Sequence, residues 1–152
     1  VAKPDNKGIY TFQDWLTWEG AWELINGKAY GTSPAPTSLH SFIVGELHFS
    51  LRTFFQNRKC FVFVAPFDVY FSENEQYDVP DHVVQPDLSV VLYQKYGVNE
   101  YGIVDPGNQT VHVYTLEEGS YQNRHLYTEQ ETIQSELYPE LEIPLRNLFK
   151  LN

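Results

Sequence analysis

The run Val83-Val84-Gln85-Pro86-Asp87-Leu88-Ser89-Val90-Val91-Leu92 constrains this chain more than any other stretch. Its β-branched apolar residues predict a buried strand, and the Pro-Asp pair sets a carboxylate at the strand's mouth. A carboxylate with fixed backbone behind it and an open end in front suits a hard cation such as Mg²⁺. Asp87 therefore reads as a metal-holding aspartate, with a turn or capping aspartate after proline as the alternative. A hydrolytic metal site needs further ligands. Here the chain passes straight to Tyr93-Gln94-Lys95-Tyr96-Gly97-Val98, which reads as the end of a helix capped by Gly97.

The rest of the chain supplies elements on either side of that strand. Thr11-Phe12-Gln13-Asp14-Trp15-Leu16-Thr17-Trp18 predicts a short amphipathic helix behind a Thr cap. Trp22-Glu23-Leu24-Ile25 and Lys28-Ala29-Tyr30 flank Asn26-Gly27, which predicts a hairpin through a type I′ turn. After the break at Ser33-Pro34-Ala35-Pro36-Thr37, a helix is expected from about Ser38 to Gln56, with Ile43, Leu47, Leu51 and Phe54 as its buried stripe. Phe61 to Val64 and Phe67 to Phe71 read as strands turned at Ala65-Pro66, and Ser72 to Asp81 as a polar loop. Strands are further expected at Tyr101 to Pro106, Thr110 to Leu116 and Tyr121 to Tyr127. Leu141 to Leu145 should dock as a strand before a final turn at Asn147 to Phe149. The pattern is α+β, a mixed sheet flanked by helices.

At 152 residues the chain is long enough for one core and too short for two ordinary domains, so a single domain over 1–152 is expected. No apolar run approaches the roughly 20 residues of a membrane span, and no signal-peptide pattern opens the chain, so a cytoplasmic protein with no membrane partner is expected. The lone Cys60 lies in Cys60-Phe61-Val62-Phe63-Val64, where a small buried hydrophobe fits better than a redox centre. The net charge of −10 repels polyanions on average, which counts against a nuclease. Cations can neutralise a carboxylate cluster where a polyanion approaches. Arg52, Arg58 and Lys59 read as a solvated helix end or as a local basic group. His48, His82, His112 and His125 lack zinc-ligand spacing, and Glu73, Asp78 and Asp81 lack the regular oxygen spacing of a Ca²⁺ loop.

Four motifs in order carry a resemblance. They are Trp22-Glu23-Leu24-Ile25-Asn26-Gly27-Lys28, Ser33-Pro34-Ala35-Pro36-Thr37-Ser38-Leu39-His40, Gln85-Pro86-Asp87-Leu88-Ser89-Val90-Val91, and Gly97-Val98-Asn99-Glu100-Tyr101-Gly102-Ile103-Val104-Asp105-Pro106. Together, from about Tyr10 to Phe149, they resemble the Uma-two family of restriction-endonuclease-like proteins in the PD-(D/E)xK nuclease superfamily. The resemblance implies a restriction-endonuclease-like core and Mg²⁺- or Mn²⁺-dependent hydrolysis of DNA. Family members carry a second acidic strand and a lysine-bearing helix between the Pro-Asp strand and the Gly-Val-x-Glu-Tyr segment. Here Leu92 abuts Tyr93, which predicts either a segment missing at that point or an inactive member. Gly102 also stands where the family commonly has Trp.

Asp87 is the expected metal ligand, and Glu23, His40 and Glu46 are the other candidate catalytic residues. Glu23 sits in an apolar strand, where it points outward or joins a polar centre, because burial without a partner is costly. His40, near the helix start, is either a satisfied buried histidine or a site residue. Glu46 is a solvated helix residue or the helix carboxylate that the superfamily pattern sets near the metal. The rival reading is a non-catalytic interaction domain that keeps the fold. A homodimer is expected on either reading, because 24 aromatic residues in so small a domain cannot all be buried.

Overall fold

Asn26 and Gly27 take φ of 49° and 73°, both in the left-handed region that a type I′ turn demands at its two central residues. In this computed structural model, which describes residues 3–5, 7–31, 37–72, 79–92, 98–118 and 120–150, that turn closes the expected hairpin. The elements begin with α1 (Phe12–Trp15), β1 (Trp22–Ile25), β2 (Lys28–Gly31), α2 (Ser38–Phe55), β3 (Cys60–Val64), β4 (Val69–Phe71) and β5 (His82–Val84). They continue with β6 (Leu88–Leu92), β7 (Glu100–Asp105), β8 (Thr110–Glu117), β9 (Ser120–Thr128), β10 (Thr132–Gln134), β11 (Glu142–Pro144) and α3 (Leu145–Leu148). Strands predominate and the helices are few, an α+β fold. The chain divides into two compact units, Val1–Ala35 with Phe63–Ser89, and Pro36–Val62 with Val90–Asn152.

The first unit holds a four-stranded sheet in the order β2-β1-β5-β4, antiparallel throughout. Leu24 faces Val83 across β1 and β5, and both are almost completely buried. Helix α1 starts as its sequence predicts. The Thr11 hydroxyl accepts the Asp14 N–H while the Asp14 carboxylate accepts the Thr11 N–H at 2.7 Å, a reciprocal capping box.

The second unit packs α2 and α3 with the antiparallel sheet β7-β8-β9 and the pair β10-β11. Alternation along β8 buries Val111, Val113 and Thr115, and Ile43, Phe55, Leu145, Leu148 and Phe149 join the two valines in one core. Leu47, Leu51 and Phe54 of the expected α2 stripe pack against that core half-buried. Cys60 is buried in it, with Sγ 3.5 Å from the Tyr138 hydroxyl, so the small-hydrophobe reading holds.

Three expectations change. The strands around Ala65-Pro66 are not hairpin partners, because β3 pairs with β6 while β4 pairs with β5. The Val83–Leu92 run is two strands, broken at Gln85-Pro86-Asp87, where proline has no N–H to give a ladder. Its second half is not a buried strand either, since Val90 and Val91 are each 37% exposed. Strand β10 was not expected. The helix remnant at Tyr93 to Tyr96, its Gly97 cap, and Glu73 and Asp78 of the acidic loop lie outside the described residues.

Candidate functional site

Glu23 is the one charged residue of β1, half-buried beside the fully buried Leu24. Its Oε1 accepts the backbone N–H of Gln85 at 2.8 Å, immediately beyond the end of β5. The Gln85 side chain then donates from Nε2 to Asp68 Oδ1 at 2.7 Å. Two residues further on, Asp87 is exposed, and its backbone oxygen accepts the Ala65 N–H at 3.0 Å. The corner that leads into β6 is thus held by a hydrogen bond on either side of Pro86. A polar line Glu23–Gln85–Asp68 runs beside it. Partial burial and, after it, the Asp68 charge push the Tyr70 phenol up.

The four sequence-derived candidates divide between the units. Glu23 and Asp87 lie in the first, joined through the Gln85 corner. His40 and Glu46 lie on α2 in the second, both half-buried, and the His40 N–H is spent on the Thr37 cap at 3.1 Å. Among the described residues, no group of three His, Cys, Asp or Glu side chains stands ready to hold a metal ion. Elsewhere in the first unit, His82 is buried and pairs through Nδ1 with Asp81 Oδ1.

Sequence reasoning missed Asp68 and Gln85, which lie 17 positions apart and meet only because β4 and β5 pair. It also read Trp15 and Trp18 as nothing more than helix spacing. In the structure Trp15, Leu16, Trp18, Gly20, Trp22, Asp68 and Gln85 line a cavity of about 180 Å³. Trp15 Nε1 donates to the Trp22 carbonyl at 2.8 Å, and Trp22 Nε1 donates to the Glu19 carbonyl at 3.1 Å. Phe12 stacks on Trp15, Tyr70 meets both edge-on, and Trp18 packs between Tyr10 and Trp22. Gly20 turns the chain at φ 97°, a conformation that side chains rarely adopt.

The chain with this geometry can be set beside known proteins. The Uma2 family model, described as "Putative restriction endonuclease", matches residues 10–92 and 85–146, so the two stretches share the Pro-Asp segment. A crystal structure from Anabaena variabilis ATCC 29413, described as a "putative nuclease belonging to DUF820", superposes with a TM-score of 0.72. That likeness covers 92% of this chain and 97% of the other at 19% identity, and shows a shared fold. No curated protein matches this chain.

Proposed function

This chain belongs to the Uma2 family, and from that membership we propose that it is a Mg²⁺- or Mn²⁺-dependent endonuclease that hydrolyses DNA phosphodiester bonds. The observation that carries the reading is the bond from Gln85 N–H to Glu23, which ties a half-buried carboxylate to the corner bearing Asp87.

The donor chemistry suits such a cation. Asp87 offers an exposed carboxylate, and Glu23 Oε2 has no other partner among the described residues. Mg²⁺ is commonly held by one or two carboxylates together with waters and substrate phosphate. When bound there, the ion supplies neutralisation of phosphoryl charge and a lower pKa for the attacking water. In this reading Asp87 is the ligand, while Glu23 holds the corner in place and offers a second oxygen. His40 and Glu46, in the other unit, are candidates from the family pattern alone.

A second reading, a non-catalytic and dimeric interaction domain, is favoured by the junction of Leu92 with Tyr93. One Pro-Asp strand, matched by both stretches of the family model, stands where relatives are expected to carry two acidic strands and a lysine. The net charge of −10 points the same way.

Incubation with supercoiled plasmid and with single-stranded DNA decides between the two. The nuclease reading expects cleavage that requires Mg²⁺ or Mn²⁺, falls steeply with added salt, and is lost in Asp87→Asn while that variant stays folded. Intact DNA under every divalent condition gives the second reading its place.

A further inference from the structure

The cavity beside α1 is walled by tryptophans to which the nuclease reading gives no part. We propose that it binds the guanidinium group of an arginine side chain from a basic partner peptide. This inference stands apart from the nuclease reading and holds whether or not the protein cuts DNA.

Three observations select that ligand. Three tryptophans, Trp15, Trp18 and Trp22, stand in the wall beside Leu16 and Gly20. The indole N–H groups of Trp15 and Trp22 are bonded to backbone carbonyls, which fixes how these two rings are set in the wall. Trp22 is also backed by Gly31, which lies opposite it in the hairpin and where an added Cβ would sit tightly, 3.2 Å from the ring. Tryptophan faces attract cations more strongly than the faces of other aromatic residues.

The wall also carries acceptors that no ring supplies. Asp68 spends Oδ1 on Gln85 Nε2, which leaves Oδ2 and the Gln85 side-chain oxygen without another partner among the described residues. A quaternary ammonium has no N–H to satisfy them, whereas a guanidinium has five donors and a flat face that stacks on indole.

Charge completes the selection. No Lys or Arg is among the described lining residues, so nothing there would hold a phosphate, and the net charge of −10 draws a cation and repels a nucleotide. The same pairing already occurs inside the chain, where the Arg58 guanidinium lies 4.2 Å above the Phe54 ring.

The test uses the full chain, ¹⁵N-labelled, and reads its three indole N–H signals. The probes are acetyl-Gly-Arg-Gly-amide, the same peptide with neutral citrulline, the same peptide with trimethyl-lysine, and dGMP. The arginine peptide should shift the indole signals saturably, with the citrulline peptide at least about tenfold weaker. Asp68→Asn keeps the oxygen that serves Gln85 while removing the charge, and it should weaken arginine binding about tenfold, the worth of one charge-assisted hydrogen bond. Dispersed indole signals in that variant report that it is folded. A Trp18→Leu variant, checked in the same way, should weaken binding by loss of a wall. The proposal is overturned if the arginine peptide gives no saturable shift, if citrulline binds equally, or if Asp68→Asn binds as the parent does. Tighter binding of trimethyl-lysine or of dGMP overturns it as well.

Discussion

Glu23 and Gln85, 62 positions apart in the chain, are joined by one hydrogen bond from a backbone N–H to a side-chain carboxylate. Removing the carboxylate leaves that N–H half-buried with no acceptor. Glu23→Ala should therefore cost about 1–3 kcal/mol in urea unfolding. Glu23→Gln retains an acceptor oxygen and should stay within about 0.5 kcal/mol of the parent. If Gln at this position abolishes DNA cleavage while leaving the unfolding midpoint in place, the residue acts in chemistry as well as in structure. An alanine variant as stable as the parent would show that the bond contributes nothing to stability.

Metal binding at Asp87 should be visible without any substrate. A ligand bound only by the folded state raises its stability by mass action, so Mn²⁺ or Mg²⁺ should raise the melting temperature of the parent protein. Asp87→Ala should remove that rise. A variant that keeps the full metal-dependent shift moves the cation to another site.

Acid should destabilise the fold in a defined direction. The Thr128 N–H and hydroxyl, then His125, hold the Glu131 carboxyl below its ordinary value, and Asn108 does the same for Asp105. Asp14 is lowered by the Thr11 N–H and then the Thr11 hydroxyl. A carboxyl lowered by folding contributes stability that is fully present above its unfolded pKa, about 4, and is lost as the pH falls through the folded one. Unfolding midpoints measured between about pH 3 and 7 should be flat at the upper end and fall below about pH 4. Glu131→Gln, which leaves no group to protonate, should make that fall shallower, and an unaltered acid limb would remove Glu131 from the account.

Self-association follows from aromatic surface. Phe63 and Phe67 stack on each other at 4.7 Å, yet are 38% and 36% exposed, and Phe49 and Phe61 are more exposed still. Apolar surface of this kind favours a homodimer. Light scattering at micromolar concentration should return twice the monomer mass, and a monomer there would count against it.

Local chemistry made part of this fold legible in the sequence. Asn26-Gly27 tolerates positive φ, Thr11 and Asp14 can cap only a helix start, and the spacing from Ile43 to Phe54 fits only a helix with one buried side. What escaped was pairing between distant strands. Ala65-Pro66 looked like a hairpin turn because alternation reports which residues share a face and says nothing of which strand lies alongside. The Val83–Leu92 run looked continuous because its apolar residues flank a proline that ends one ladder before the next begins. Asp87 could be named from its Pro-Asp context alone, but the roles of Asp68 and Gln85 depend on β4 meeting β5. No local pattern in the sequence encodes that meeting.

All three tryptophans fall at positions 15, 18 and 22, inside the unit formed by Val1–Ala35 and Phe63–Ser89. The tryptophan fluorescence of this protein, excited apart from that of its tyrosines, is therefore a label on one half of the molecule. Indole emission follows the hairpin sheet and its aromatic cavity, whereas far-ultraviolet circular dichroism averages over every helix and strand. If the two units melt as one, the two signals trace the same denaturant curve. If they melt apart, the emission gives the stability of the hairpin unit by itself, and the difference between the curves belongs to the half that carries α2 and α3.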